Sequence, residues 1–509
     1  MTGVLGWMDR ASQQRGIRFA APDGQWRFWS YARLAEETAR VAGGLCAAGV
    51  QPGQTVSIVQ RSGPGFVVSL FGAMLAGAVP SPVAPSGGIG GAAAFKEHLS
   101  WVLSVAKPAA VLADEDFADL VPAAVHTVAQ IRANPVDATP TDTALLQFTS
   151  GSTGRCRGVR ISHQALAANV AAIRSWIGLD GSGTTVSWLP VHHDMGLTGC
   201  LITPMVDGSD IWLLSPEEFI RRPLRYLRCF GEEGAQYSAM PRFALEHVVR
   251  RVPPQSLAGM DFSALRALVV GAERIDASVL EQFTDLLSGH GFTAGALRPA
   301  YGLAEATLAV TGLPRGETWR AVERDGVRVV GCGPPLPGVS LSIQDEQGRP
   351  LPDGCVGEIV VSGASIADDY TGTLRTGDAG WLEAGELYVL GRLGDGIKVR
   401  GRHVFAEDLE ATLVGLGASS RHLAVLLGNH GGRDTAVAVV EEKGEPGWLH
   451  DAAKALRVRV DGAAVVVVAA PPRTIPRTTS GKPRRRELWQ RFAAGQLPGR
   501  VLVEEEGRS

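Results

Sequence analysis

Between residues 29 and 135 the apolar positions change period several times. YARLAEETARVAGGLCAAG gathers its apolar residues on one helical face, and GFVVSLFGAMLAGAV, apolar nearly throughout, predicts a buried helix. TVSIVQ and AAVLAD are short β-branched or small runs that predict strands. Helices alternating with such strands predict βαβ units on a parallel sheet. The pattern resumes with SHQALAANVAAIRSWIG as helix, TTVSWLP as strand and ALRALVVGAE as a strand ending in a small-residue turn. Turns of that kind fall at strand carboxyl ends, where open α/β sheets bind ligands. From 327 to 390 the texture becomes Gly/Pro-punctuated strands (VSLSIQD, GEIVVSG, GELYVLG), which predict an antiparallel subdomain or barrel. A second break falls at GRLGDGIKVRGRHV, and AEDLEATLVGLG, HLAVLLGN, DTAVAVVEE and AAVVVVAA after it predict a compact α+β unit. No internal repeat or low-complexity tract is visible, and the acidic tail VEEEGRS is expected to fray. The expected fold is α/β: a large domain of parallel-rich α/β subdomains plus an antiparallel β subdomain over 1–392, a hinge at 393–396, and a small α+β domain over 397–509.

Composition narrows the partners. A chain of 509 residues that is 45% hydrophobic exceeds one core and can bury two or more. A net charge of -3 leaves no electrostatic footprint for nucleic acid or anionic membrane. Six cysteines without CxxC spacing argue against a disulfide framework or zinc site. The amino terminus lacks a signal pattern, and the longest apolar patches are shorter than a bilayer span. The expectation is a cytoplasmic protein with small-molecule partners and no membrane span.

Candidate chemistry starts at LLQFTSGSTGRCRGVRISH. Thr149, Ser150, Gly151, Ser152, Thr153 and Gly154 combine close backbone approach with hydroxyl and N–H donors, which suits a phosphate chain. No lysine follows Gly154 in Walker A register. A mobile loop is the alternative, and a position between a strand and a helix favours the cradle. Other stretches have plain alternatives too. RTGD reads as a β-turn, Glu305 as an acidic residue in a first helical turn, and SGKPRRR as a solvated basic run. His192 and His193 are adjacent, so on a strand they would face opposite ways and could not share a metal.

TSGSTGRCRGVRISH resembles the phosphate loop of the acyl-adenylate-forming superfamily, which includes acyl-CoA synthetases, fatty acyl-AMP ligases, adenylation domains and luciferases. WLPVHHDMGL, SPEEFIRRPLRYL, VVGAERI, PAYGLAEATL, GEIVVSG, LRTGDAGWL, GRLGDGIKVRGRHVFAEDLE and RTTSGKPRRREL follow in family order over nearly the whole chain. HHDMGL, RRPLRYL and YGLAEATL are most similar to the fatty acyl-AMP ligase branch. The resemblance implies that 149–154, with Arg157, grip the ATP β- and γ-phosphates. Gly271, Ala272, Glu273, Tyr301 and Gly302 would flank adenine and acyl group, Tyr301 packing on the base, and Glu305 would hold magnesium, a hard cation that takes oxygen ligands. Asp378 would accept the ribose hydroxyls and Arg392 would assist from the hinge. Lys482 would reach from the small domain to the carboxylate and α-phosphate, stabilising developing charge. His193 would line the acyl or thiol channel, with His192 structural.

The acyl pocket is expected among 188–200, 237–243 and 300–304, with Trp188, His193, Met195, Gly196, Tyr237, Met240, Ala300, Leu303 and Ala304 as lining. Their mix of aromatic, Met and small residues implies a largely apolar acid. QYSAMPRFALEHV offers no acid before Glu246, against an amino acid substrate. Three features depart from the family. Cys156 and Arg157 stand where relatives commonly have Pro and Lys, and Arg is a broad fork in place of a compact ammonium. The stretch before TGD is short, where fatty acyl-AMP ligases carry an insertion that hinders the domain rotation needed for coenzyme A. Gly394 at the pivot makes the hinge permissive.

The resemblance implies an AMP-forming acyl-CoA ligase using ATP, magnesium and coenzyme A, with the small domain offering Lys482 for the first half-reaction and the face near Gly401 for the second. Three alternatives stand beside it: an adenylation-impaired enzyme that thioesterifies preformed acyl-AMP, an acyl-AMP ligase that loads an acyl carrier protein, and a non-catalytic ligand-binding homologue.

Overall fold

The computed structural model describes residues 3–85, 91–121, 125–135, 141–149, 157–324, 326–399, 402–441, 447–460, 462–478 and 481–505. An eight-stranded sheet runs in the order Ala309–Gly312, Leu297–Gly302, Ala267–Gly271, Tyr237–Pro241, Thr184–Ser187, Asp210–Leu213, Gly16–Ala20, Trp26–Ser30. Its inner strands are all parallel, and each edge carries one antiparallel strand. A second, all-parallel sheet has the order Val79–Pro82, Thr55–Val59, Ala110–Ala113, Val125–His126. Thr55–Val59 is buried at every position, as a strand covered on both faces must be.

Helices Tyr31–Ala47, Pro64–Leu75 and His163–Ile177 contribute to one core, and Pro223–Gly231, Arg242–Arg251 and Ala277–Ser288 to another. The first of these helices opens on Ser30, whose hydroxyl accepts from Arg33 N; Pro64–Leu75, nearly all apolar, is buried along its length.

The antiparallel unit is a four-stranded meander, Val339–Gln344, Gly357–Gly363, Thr373–Glu383 and Glu386–Arg392, with a smaller hairpin of Ala321–Arg324 and Val327–Val330. After the short turn Leu393–Asp395, residues from Ile397 onward build a core of their own around a sheet ordered Leu423–His430, Arg433–Val440, Ala464–Ala469, Arg500–Glu505. The last strand takes in the first three residues of the acidic tail, and 506–509 lie outside the described residues. Instead of fraying, Val503, Glu504 and Glu505 pair with Val467, Val466 and Val465, because the chain end completes the edge of a sheet.

Candidate active site

The small-residue loop joins two strands. Thr143–Phe148 and Gly158–Ser162 pair antiparallel, and Thr149 N donates to Arg157 O at 2.9 Å across the loop's base. The helix His163–Ile177 begins only after the return strand, capped by the Ser162 hydroxyl, so the expected strand-to-helix position is corrected to a hairpin. Ser150, Gly151, Ser152, Thr153, Gly154 and Cys156 lie outside the described residues, as does Gly401. Gln147, buried on the incoming strand, donates from Nε2 to His192 O at 2.8 Å, clamping the hairpin to the histidine turn. The Arg157 guanidinium sits 5.5 Å from the Tyr370 ring centroid, at the base of the loop.

Nucleotide candidates gather at strand carboxyl ends. Gly271 ends its strand, Ala272 turns the chain with φ +68°, and Glu273 accepts from Phe243 N at 2.8 Å, fixing that turn to the start of the preceding helix, Arg242–Arg251. Gly302 permits the close pairing with Ala309–Gly312, since a Cβ there would lie 1.9 Å from Leu308 O. Tyr301 donates its hydroxyl to Asp378 Oδ2 at 2.6 Å, while Arg392 Nε lies 2.8 Å from Asp378 Oδ1. Asp378 stands inside the strand Thr373–Glu383, which overturns the turn reading of RTGD. Burial raises its carboxyl above the ordinary value against the pull of Arg392, Tyr301 and Lys482.

Glu305 lies in the single turn Ala304–Ala306, half-buried, and its carboxylate makes no hydrogen bond or ion pair among the described residues. It nevertheless acts electrostatically on Asp194, Asp378, Tyr370 and Arg392. A carboxylate left unpaired among such groups fits magnesium, which is commonly held by one or two carboxylates plus substrate phosphates. No cluster of three or more ligating side chains is present among the described residues. Just beyond, fully buried Thr307 has φ +69° and ψ -53°, and Leu308 N donates to Ala306 O across it. That is the strained γ-turn, costly for a β-branched residue, and a 2.7 Å bond from Thr307 Oγ1 to Ser365 O holds it. Ala367 N donates to Glu305 O from the same segment.

The histidines are not on a strand. They form a turn leading into a π-helix, Met195–Ile202, a geometry often found at functional sites, and their ring centroids are 4.5 Å apart. The opposite-faces expectation therefore fails. Burial, then Lys482, pushes His193 down to about 4, and its Nε2 is buried without a partner. Asp194, overlooked in the sequence, caps the π-helix through Met195 N, and burial raises its carboxyl although Lys482 pulls it down. Lys482 thus acts on His193, Asp194 and Asp378 together, from a turn in which Thr478 N donates to Lys482 O and Lys482 N donates to the Thr478 hydroxyl.

Among the channel candidates, Trp188 stacks on Phe219 at 4.0 Å, and Trp188, Met195, Phe243 and Tyr301 border one apolar cluster. Gly196 lets the π-helix approach Pro190, whose carbonyl would lie 2.3 Å from an added Cβ. Ala300 is half-buried and Ala304 buried beside Glu305. Three assignments need correction. Tyr237 starts its strand, at the end away from Pro241 and Gly271, and its hydroxyl donates to Gly178 O. Met240 is wholly buried in the core, and Leu303 packs into the antiparallel unit's core.

Contacts across the Leu393–Asp395 turn were also not foreseen. Arg274, next after the GAE turn, pairs with Asp408, and Ser420 Oγ lies 3.1 Å from Glu246 Oε2. Arg485, in the basic run taken as solvated, lies among Glu407 at 2.9 Å, Glu410 at 2.9 Å and Asp395 at 3.5 Å. Gly394 itself meets nothing within 4 Å of an added Cβ.

Comparison with known proteins identifies the family. The AMP-binding enzyme family matches residues 8–371. A putative acyl-CoA synthetase of Caulobacter vibrioides is 31% identical over 91% of this chain and 90% of its own. The long-chain-fatty-acid–AMP ligase FadD26 of Mycobacterium marinum is also 31% identical, over 87% of each. A solved structure from work on fatty acyl-adenylate ligases of E. coli and L. pneumophila superposes with a TM-score of 0.89 at 28% identity, covering 97% of this chain and 98% of that one. A carrier-linked adenylation domain with phenylalanyl-adenylate, 23% identical, shares the fold with a TM-score of 0.85. With its acidic, tyrosine and lysine groups gathered beside the loop hairpin, the chain belongs to the AMP-binding enzymes of the acyl-adenylate-forming superfamily, among relatives named acyl-CoA synthetases and fatty acyl-AMP ligases.

Proposed function

We propose that this enzyme is an acyl-CoA ligase for a largely apolar carboxylic acid. A carboxylate oxygen attacks the α-phosphorus of ATP; the bond to pyrophosphate breaks and an acyl-adenylate forms. A coenzyme A thiolate then attacks the acyl carbon and AMP leaves, a better leaving group than hydroxide. Lys482 offsets the charge that develops at the α-phosphate, Asp378 and Tyr301 orient the ribose and base, and His193 borders the path of the thiol. Glu305 would hold magnesium, which would supply charge neutralisation at the phosphates.

The observation that carries the thioester ending is the short connection between Gly357–Gly363 and Thr373–Glu383, nine residues spanning 364–372. It leaves no inserted segment there to obstruct a turn of the small domain. A second reading, an acyl-AMP ligase serving a carrier protein, is favoured by the name and identity of the Mycobacterium marinum relative. A third follows from Cys156 and Arg157: weak adenylation, with preformed acyl-AMP as the working substrate. The Arg157 guanidinium beside Tyr370, within electrostatic reach of the groups around Glu305, speaks for a retained phosphate-side charge.

Carboxylate-dependent pyrophosphate exchange separates the third reading from the others. Robust exchange supports adenylation; thioester formation from synthetic acyl-AMP without exchange would falsify it. Lys482→Ala is expected to lower exchange by at least about a hundredfold, the scale of losing one electrostatic stabiliser.

A further inference from the structure

The amino ends of three parallel strands, opposite the groups assigned to catalysis, border a separate, partly open cavity of about 260 Å³. Its lining includes Arg266, just before Ala267–Gly271, Arg298 near the start of Leu297–Gly302, and Arg315, with Thr293 and Tyr237. No aspartate or glutamate lines it. Arg298 is the telling residue. It is 4% exposed, its Nη1 donates to the carbonyls of Pro314 and Glu317 at 3.0 Å each, and its buried Nε has no partner. None of the three arginines forms an ion pair with a carboxylate among the described residues. Burial and Arg315 both disfavour the charge on Arg298, and Glu317 does not outweigh them. A buried guanidinium with no carboxylate in contact is disfavoured, and a second cation beside it adds to the cost.

An oxyanion in the cavity would remove that cost. Carboxylates bring one negative charge; three cations and a threonine hydroxyl match a doubly charged, multi-oxygen group, and guanidinium forks pair with phosphate oxygens in parallel. The volume admits phosphate or pyrophosphate and falls below the range that encloses drug-sized ligands. We propose that this cavity is a phosphate-type oxyanion site, distinct from the ATP phosphate loop, which ties the starts of the three strands to the 314–317 turn.

The test is isothermal titration and thermal unfolding of the whole protein with inorganic phosphate, pyrophosphate, glycerol phosphate and acetate, at ionic strength held constant with chloride. A ligand that binds only the folded protein raises the unfolding midpoint. The expected result is saturable stabilisation by the phosphates and none by acetate; preference for glycerol phosphate over inorganic phosphate identifies the source as the phosphoryl group of a larger molecule. Arg298→Met and the exposed substitutions Arg315→Ala and Arg266→Ala are expected to weaken phosphate at least tenfold, while Lys482→Ala leaves it unchanged. The exposed pair keeps the test valid should Arg298→Met not fold. Absence of stabilisation, equal affinity in the exposed arginine variants, or loss of binding in Lys482→Ala would overturn the proposal. This site stands or falls independently of the acceptor assigned above.

Discussion

At the residue scale, the site is a set of polar groups held in a largely apolar wall, and the hydrogen bond between Tyr301 and Asp378 is its most local joint. Tyr301→Phe removes one donor from a buried carboxylate, and bonds to charged groups contribute about 1.5–3 kcal/mol. The expected outcome is a rise in the KM for ATP of about tenfold or more, with a smaller change in kcat, read by pyrophosphate exchange. His193 gives a pH signature. Its ordinary value is 6.5 and its folded value about 4, so between these the unfolded chain binds a proton that the folded one does not. Stability therefore falls as pH drops from about 6.5 to 4, by up to about 1.4 kcal/mol per pH unit from this group. His193→Asn is expected to flatten that slope by about one proton in denaturant titrations across this window. His192, also lowered by burial, preserves part of the slope in that variant.

At the scale of elements, the strained turn at Thr307 is held by packing and one side-chain bond. Thr307→Val keeps the shape but leaves Ser365 O without its donor, an expected loss of about 1–3 kcal/mol in denaturant midpoints, with a raised magnesium requirement because Glu305 shares the segment. Helices and parallel strands were legible in the sequence because their apolar periods are set by burial, as Tyr31–Ala47 and Thr55–Val59 illustrate. The return strand Gly158–Ser162 was missed because five residues running straight into a helix look like its preamble. The RTGD motif hid its strand in the same way: Gly and Asp favour turns unless neighbouring strands supply ladder partners, as Arg392 and its strand do here. Arg485 was read as solvated since composition shows a charge but not the three carboxylates folded around it. Asp378, Glu305 and Lys482 were found only through motif resemblance; their spacing in the chain gives no hint that they meet.

At the scale of the whole molecule, Lys482 acts on His193, Asp194 and Asp378 from the unit that follows the Leu393–Asp395 turn. Arg274 and Asp408 fasten it, both largely buried, at 13% and 17% side-chain exposure. Breaking such a pair is more costly than breaking a surface bridge. Arg274→Ala is expected to depress the adenylation half-reaction several-fold more than thioester formation from synthetic acyl-AMP, measured separately on one preparation. Equal losses in both would show that the pair supports folding rather than pose. Arg485 joins Glu407 and Glu410 to Asp395 of the turn; burial opposes the guanidinium charge, but the three carboxylates together outweigh it.

The acceptor of the acyl group is the point on which the functional account rests. Purified protein given ATP, magnesium, a panel of medium- and long-chain fatty and aryl acids, and either coenzyme A or a holo acyl carrier protein resolves it by mass spectrometry of the products. Acyl-CoA and AMP are expected in equal amounts with at least one acid, at a rate exceeding carrier loading. Accumulation of acyl-AMP with coenzyme A unconsumed, while the carrier is acylated, would contradict it.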